Sequence, residues 1–232
     1  MNLLRIIAKD RQARAFRASA THTLAGLPLA GLLLVAHAAS PARAADGLVL
    51  GDSIGQGLAT TIGLKQIAKR SFSLRRGDIG AQLAQLPAGA IGLMSLGLND
   101  AADPVDHLTK SIERIVETAT GVDRKLVWLG PPCVLKAWDK RAAELDAFLK
   151  QRLAATSIQY VSLRDDRICS PALRTRDGEH FTVEGYRYLW EKIRRDSALA
   201  ATIDLDACEK AKAEAAYRGI RKPPAECATA SR

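Results

Sequence analysis

The sequence predicts an α/β protein with a parallel sheet sandwiched between two layers of helices, and two observations carry that prediction. Five short apolar runs, at residues 48–50, 72–74, 91–96, 126–129 and 158–163, are continuous rather than alternating, the pattern of strands covered on both faces. Stripes at the helical period lie between and after them: Val105, Leu108, Ile112, Ile115 and Val116; Ala142, Leu145, Phe148, Leu149 and Leu153; Val183, Tyr186, Leu189 and Ile193. These stripes read as core packing. Strand and helix therefore alternate, and crossovers of this length imply parallel strands with right-handed connections.

In chain order, the first run leads into Gly51-Asp52-Ser53 and a Gly55/Gly57 turn, with a helix expected from near Leu58. The second run is followed by Arg76-Gly77-Asp78-Ile79-Gly80 and an amphipathic helix. Gly97-Leu98-Asn99-Asp100 ends the third run, and a helix starts near Pro104. After the fifth run a loop carries Asp177-Gly178-Glu179-His180, and Thr182 caps the next helix. Residues 206–232 are rich in Ala and Lys, read as a helix to about Tyr217 and then an extended end at Pro223-Pro224. No internal repeat is present.

With 232 residues the chain suits one domain. Residues 1–44 read as a cleaved signal peptide: Arg5, Lys9, Arg11, Arg14 and Arg17, then an apolar run at 24–36, then the small-x-small pattern Ala42-Arg43-Ala44. The apolar run is too short to span a bilayer and contains Pro28. The expected organisation is thus leader 1–44, main domain 45–203 and tail 204–232, in a periplasmic or secreted protein with no stable membrane span after cleavage. The leader holds six basic residues and one acid, so the net +9 of the chain falls to about +4 beyond it. Those charges are scattered along helices, and no basic, aromatic-laced face argues for nucleic acid. Four cysteines in an oxidising compartment allow three pairings; Cys133–Cys169 and Cys208–Cys227 are favoured, the first joining loops at the ends of neighbouring strands, the second tying down the tail. Metal-ligand spacings such as Cys-x-x-Cys are missing, and no metal or organic cofactor is implied.

Ser53, Asn99 and His180 all follow apolar runs, so a parallel sheet brings them to its carboxyl edge, where ligands bind in such folds. Ser53 lies where a helix N-terminus and backbone amides could receive an oxyanion, although a serine there could equally be the helix cap. His180 has Asp177 three residues before it, a spacing at which the carboxylate can orient the ring; His107 reads as an ordinary helix residue. The Asn99 amide can donate to an oxyanion, or serve an Asx turn, and Asp100 is expected to fix that turn locally.

These blocks resemble the SGNH (GDSL) hydrolases: Gly51-Asp52-Ser53 is similar to their first block, Gly97-x-Asn99-Asp100 to the third and Asp177-x-x-His180 to the fifth, over roughly residues 47–196. The resemblance implies a flavodoxin-like three-layer α/β/α sandwich with five parallel strands. It implies Ser53 as nucleophile, His180 as base and Asp177 as its orienter. The Ser53 amide, the Asn99 side chain and a glycine after the second strand would form the oxyanion hole; Gly80 matches better, Gly77 is the runner-up. The activity implied is hydrolysis of carboxylic esters through an acyl-enzyme. The compartment favours short acyl or O-acetyl groups on polysaccharide, or small esters, as substrates. Acyl transfer by the same residues and a non-catalytic binding module on the same fold are the rival readings. Oligomeric state is not legible.

Overall fold

A computed structural model describes residues 45–219 and Cys227; the expected leader at 1–44 and the extended end at Pro223-Pro224 lie outside the described residues. Five parallel strands, β1 (Gly47–Gly51), β2 (Lys65–Gln66), β3 (Ile91–Ser95), β4 (Lys125–Leu129) and β5 (Gln159–Val161), form one sheet in the order β2-β1-β3-β4-β5. This order reverses between β1 and β3, which creates a crevice beyond their carboxyl ends.

The helices are α1 (Ser53–Ile62), α2 (Ile79–Leu83), α3 (Val105–Thr120), α4 (Asp139–Leu153), α5 (Val183–Asp196), α6 (Ala198–Ala201) and α7 (Ala207–Tyr217). Alternation along each strand divides the core in two, because successive side chains point to opposite faces. Val49, Leu93, Val127, Leu129 and Val161 pack with Ile54 and Leu58 of α1 and Tyr186, Leu189 and Ile193 of α5. Leu50, Met94, Leu126 and Trp128 pack with α2, α3 and α4 through Leu83, Leu108, Ile112, Leu145 and Leu149. The result is the expected three-layer sandwich.

Two local expectations change. The run at 72–74 is a loop, not a strand; β1 pairs instead with the exposed Lys65–Gln66. Phe72 and Leu74 are buried all the same, against Ile79, Leu83 and Leu108. Their hydrophobicity thus reports burial under α2 and α3, not pairing in the sheet. The first helix begins at Ser53 rather than near Leu58, so Gly55 and Gly57 lie inside it. Gly57 is required by close packing: a Cβ there would stand 2.2 Å from the Tyr186 hydroxyl. Beyond α5, α7 reaches back to α1, its backbone at Glu209 coming within 2.5 Å of where a Cβ on Gly63 would lie.

Cys133 is bonded to Cys169 and Cys208 to Cys227, with Cα separations of 5.2 and 4.6 Å, both within the range a disulfide spans. The first bond joins the loop after β4 to the loop after β5. Among the described residues no helix is long and apolar enough to cross a membrane.

The Cys133–Cys169 link closes a segment of 36 residues, worth about 3–4 kcal/mol by restriction of the unfolded chain. The double variant Cys133→Ser/Cys169→Ser is expected to lose about 10 °C in Tm by circular dichroism; an unchanged Tm would show that the link does not restrain the unfolded state.

Candidate functional site

The site is built from the turn that ends β1. Gly51 has φ +101°, and a Cβ there would sit 1.9 Å from the Ser95 carbonyl oxygen. Only glycine allows that pass, and it lets the Asp52 N–H donate to the same carbonyl at 2.9 Å. Asp52, 1 % exposed, then caps α1. Its Oδ1 accepts from the N–H of Ile54 (3.0 Å) and Gly55 (3.4 Å) and from the Ser95 hydroxyl at 2.7 Å. Asp52, not Ser53, is therefore the helix cap. Ser53 is left with its hydroxyl free for another partner, and its own N–H has none among the described residues.

That partner is His180. The Ser53 hydroxyl donates to His180 Nε2 at 2.9 Å, and His180 Nδ1 donates to Asp177 Oδ2 at 2.8 Å. The tautomer follows from the second bond, since a carboxylate at Nδ1 needs the proton there. A tight reversal holds the loop. Gly178 at φ +71° turns it, Thr175 N–H donates to the His180 carbonyl at 3.0 Å, and Arg174 pairs with Phe181 across it. Asp177 Oδ1 also accepts from the N–H of Glu179 (2.8 Å) and His180 (2.9 Å) and from the Thr175 hydroxyl at 2.8 Å. From the neighbouring loop, Leu135 N–H donates to the Gly178 carbonyl at 2.8 Å, two residues from the Cys133–Cys169 link.

Asn99 lies just past β3 and lines the same cavity as Ser53 and His180. Its amide donates to the Phe72 carbonyl at 2.8 Å, which leaves one N–H of the amide uncommitted. Asp100 does not fix its own turn: it is buried and accepts from Leu74 N–H at 2.6 Å, holding the loop after β2. Neither Gly80 nor Gly77 lines this cavity. Gly80 lies within α2, with Thr118 of α3 and Asp78 as its near neighbours, and Gly77 faces the Phe72 ring. The loop after β2 instead presents Arg70 and Ser71. Ser71 is the one described non-glycine residue with positive φ, at 57°, and its N–H has no partner among the described residues. A glycine search cannot find a left-handed position filled by serine.

The cavity is open, about 770 Å³, and is lined by Gln56, Thr60 and Thr61 of α1, by Phe181 of the loop and by Val183 and Tyr186 of α5. His107 stands apart, exposed on α3.

Two carboxyls in this region are driven in opposite directions. Burial pushes Asp52 up to about 6, against the Ser95 hydroxyl and the Gly55 and Ile54 amides, which lower it. Its Oδ2 is buried with no hydrogen-bond partner among the described residues, so nothing there offsets the cost of burying the charge. Partial burial also raises Asp177, but the Glu179 and His180 amides, the His180 ring and the Thr175 hydroxyl outweigh it and hold that carboxyl well below its usual range. Burial lowers Arg174 to about 10; this side chain donates to the carbonyls of Glu179 and Ile168, both at 3.1 Å, and stacks on Phe181. Burial likewise raises Tyr186 to about 12.

The Asp52 shift fixes a pH dependence. A carboxyl raised on folding contributes stability that is complete below its unfolded value near 3.8 and is lost as pH rises through about 6. Relative to Asp52→Asn, the wild-type protein is expected to lose about 2 kcal/mol between pH 4 and 7, read from urea midpoints at each pH. Parallel pH profiles for the two proteins would contradict the upward shift of Asp52.

No family model matches the sequence, and no curated protein matches it. Solved structures do. A member of the lipolytic protein G-D-S-L family from Veillonella parvula DSM 2008 superposes with TM-score 0.51 at 16 % identity, over 66 % of this chain and 97 % of that one. A protein from Desulfitobacterium hafniense DCB-2 assigned to the G-D-S-L family gives TM-score 0.52 at 16 % identity, over 66 % and 99 % of the two chains. One from Slackia heliotrinireducens assigned as an SGNH hydrolase gives 0.51 at 18 %, again over 66 % and 99 %. On sheet order, layers and these superpositions, the chain has the fold of the G-D-S-L (SGNH) hydrolases.

Proposed function

We propose that the protein is a serine esterase that hydrolyses short acyl esters of hydrophilic alcohols through an acyl-enzyme. The observation that carries the reading is the continuous chain Ser53 Oγ–His180–Asp177, with bonds of 2.9 and 2.8 Å facing an open cavity. A binding module needs no such chain. In the first step His180 Nε2 takes the Ser53 proton as Oγ attacks the acyl carbon, and Asp177 stabilises the imidazolium. His180 then gives that proton to the departing alkoxide, which leaves the acyl group on Ser53. Water, deprotonated by His180, attacks the acyl-enzyme; its proton returns to Ser53 Oγ and the carboxylic acid leaves.

The developing oxyanion is assigned to three donors: the Ser53 N–H, the uncommitted Asn99 N–H and the Ser71 N–H. Ser71 replaces the glycine expected from sequence, and the left-handed backbone it adopts costs roughly 1–2 kcal/mol, the kind of local strain that persists when function requires it. Gln56, Thr60, Thr61 and Arg70 along the cavity support a polar substrate, an O-acylated carbohydrate or small ester, over a long acyl chain. The basic-apolar leader pattern and the two disulfides support a periplasmic or secreted location.

Hydrolysis of 4-nitrophenyl acetate by the purified protein tests the reading. Ser53→Ala should abolish turnover. Asp177→Asn should lower kcat by several orders of magnitude, up to about 10⁴. Asn99→Ala removes one oxyanion donor and should lower kcat about 10²–10³-fold, whereas Ser71→Gly should keep activity and gain roughly 1 kcal/mol of stability. Full activity in Ser53→Ala would overturn the assignment of the nucleophile.

A further inference from the structure

Arg70 is an exposed cation in the wall of the cavity that holds Ser53, His180 and Asn99. Among the described residues it makes no ion pair and no side-chain hydrogen bond. The two carboxylates of the same cavity are already engaged. Asp177 accepts from four donors, and Glu179 faces Lys136 at 3.7 Å.

The backbone that delivers Arg70 is fastened on both sides to the site. Lys69 N–H donates to the Gly51 carbonyl at 2.9 Å, beside the turn that carries Ser53, and the Phe72 carbonyl accepts from Asn99 at 2.8 Å. The guanidinium thus leaves from a loop tied to both Ser53 and Asn99, although its own side chain is unpaired. A solvated arginine on an open surface contributes little. Within a cleft a charge is screened less than on an open surface and acts more strongly on whatever enters, and the planar fork of arginine matches a carboxylate with two parallel hydrogen bonds. Gln56 and Thr61 along α1 add neutral donors and no competing charge.

We propose that Arg70 is a specificity determinant that selects ester substrates bearing a carboxylate near the scissile bond, an acylated acidic sugar or an equivalent hydroxy acid. The inference rests on the esterase reading given above and narrows it to anionic substrates. Discrimination comes from pairing in the cleft, so it weakens with salt.

Matched substrates test it. 4-Acetoxybenzoate and 4-acetoxybenzamide differ by a charge on the alcohol side; 4-nitrophenyl hemisuccinate and 4-nitrophenyl butyrate differ by a charge on the acyl side. In at least one pair the charged member should have the higher kcat/KM, by about tenfold at low salt. The pair that shows the preference identifies the side on which Arg70 acts. Arg70→Gln should bring that ratio close to one, Arg70→Glu should invert it, and Arg70→Lys should keep part of it. Raising salt from about 0.05 M to about 0.5 M should shrink the wild-type ratio. A wild-type ratio at or below one in both pairs overturns the proposal, as does a ratio that Arg70→Gln leaves unchanged. Calorimetric binding of 4-acetoxybenzoate and 4-acetoxybenzamide to the Ser53→Ala protein needs no catalysis. If no ester is turned over, the esterase reading fails, while tighter binding of the benzoate that is lost on adding Arg70→Gln still upholds charge recognition, and equal binding overturns it.

Discussion

The close pass of β1 and β3 at Gly51 and Ser95 holds the site together. Without a side chain at Gly51, the two backbones come near enough for Asp52 N–H to reach the Ser95 carbonyl and for the Ser95 hydroxyl to reach Asp52 Oδ1. Gly51 binds in two further directions: its N–H donates to Gln82 of α2 at 2.7 Å, and its carbonyl accepts from Lys69. One residue therefore ties the turn that bears Ser53 to β3, to α2 and to the loop that bears Arg70 and Ser71. Asn99 fastens that loop from its other end through Phe72. Pieces distant in sequence are thereby set around one cavity by backbone hydrogen bonds and by the side chains of Asp52, Ser95, Gln82 and Asn99.

Electrostatics divides the labour between two aspartates. Asp52 is buried and its carboxyl raised by that burial, while its hydrogen bonds to the Ile54 and Gly55 amides cap α1 beside Ser53. Asp177 is at the rim, with four donors that keep it ionised and close to the His180 ring. The environment of each carboxyl, more than its distance from Ser53, decides its role. Arg174 supports the second arrangement from below by bonding the Glu179 carbonyl and stacking on Phe181, and the Leu135–Gly178 bond joins it to the loop restrained by Cys133–Cys169.

Much of this was legible in the chain because the informative contacts are short in sequence. Asp177 and His180 are three residues apart, and the continuous runs before Ser53 and Asn99 do become adjacent parallel strands. What was not legible depended on contacts across the fold. The run at 72–74 carries the hydrophobicity of a strand, but Phe72 and Leu74 are buried under α2 and α3. Gly55 and Gly57 suggested a turn, whereas Gly57 makes room for Tyr186 in a helix that begins at Ser53. Gly80 has the residue type that the resemblance asks for, while the left-handed position lining the cavity is Ser71, a residue type that carries no such signal. Arg70 was unremarkable in sequence because its place in the cavity wall, without an ion-pair partner among the described residues, depends on the fold.

The central claim is that Ser53 is an activated nucleophile, made so by His180 and Asp177. The most direct test is to treat the purified protein with a fluorophosphonate and locate the adduct by peptide mass spectrometry. A single adduct on Ser53, formed rapidly in the wild type and suppressed in His180→Ala, is the result predicted. Folded protein that remains unmodified, or an adduct on another serine, would contradict the claim.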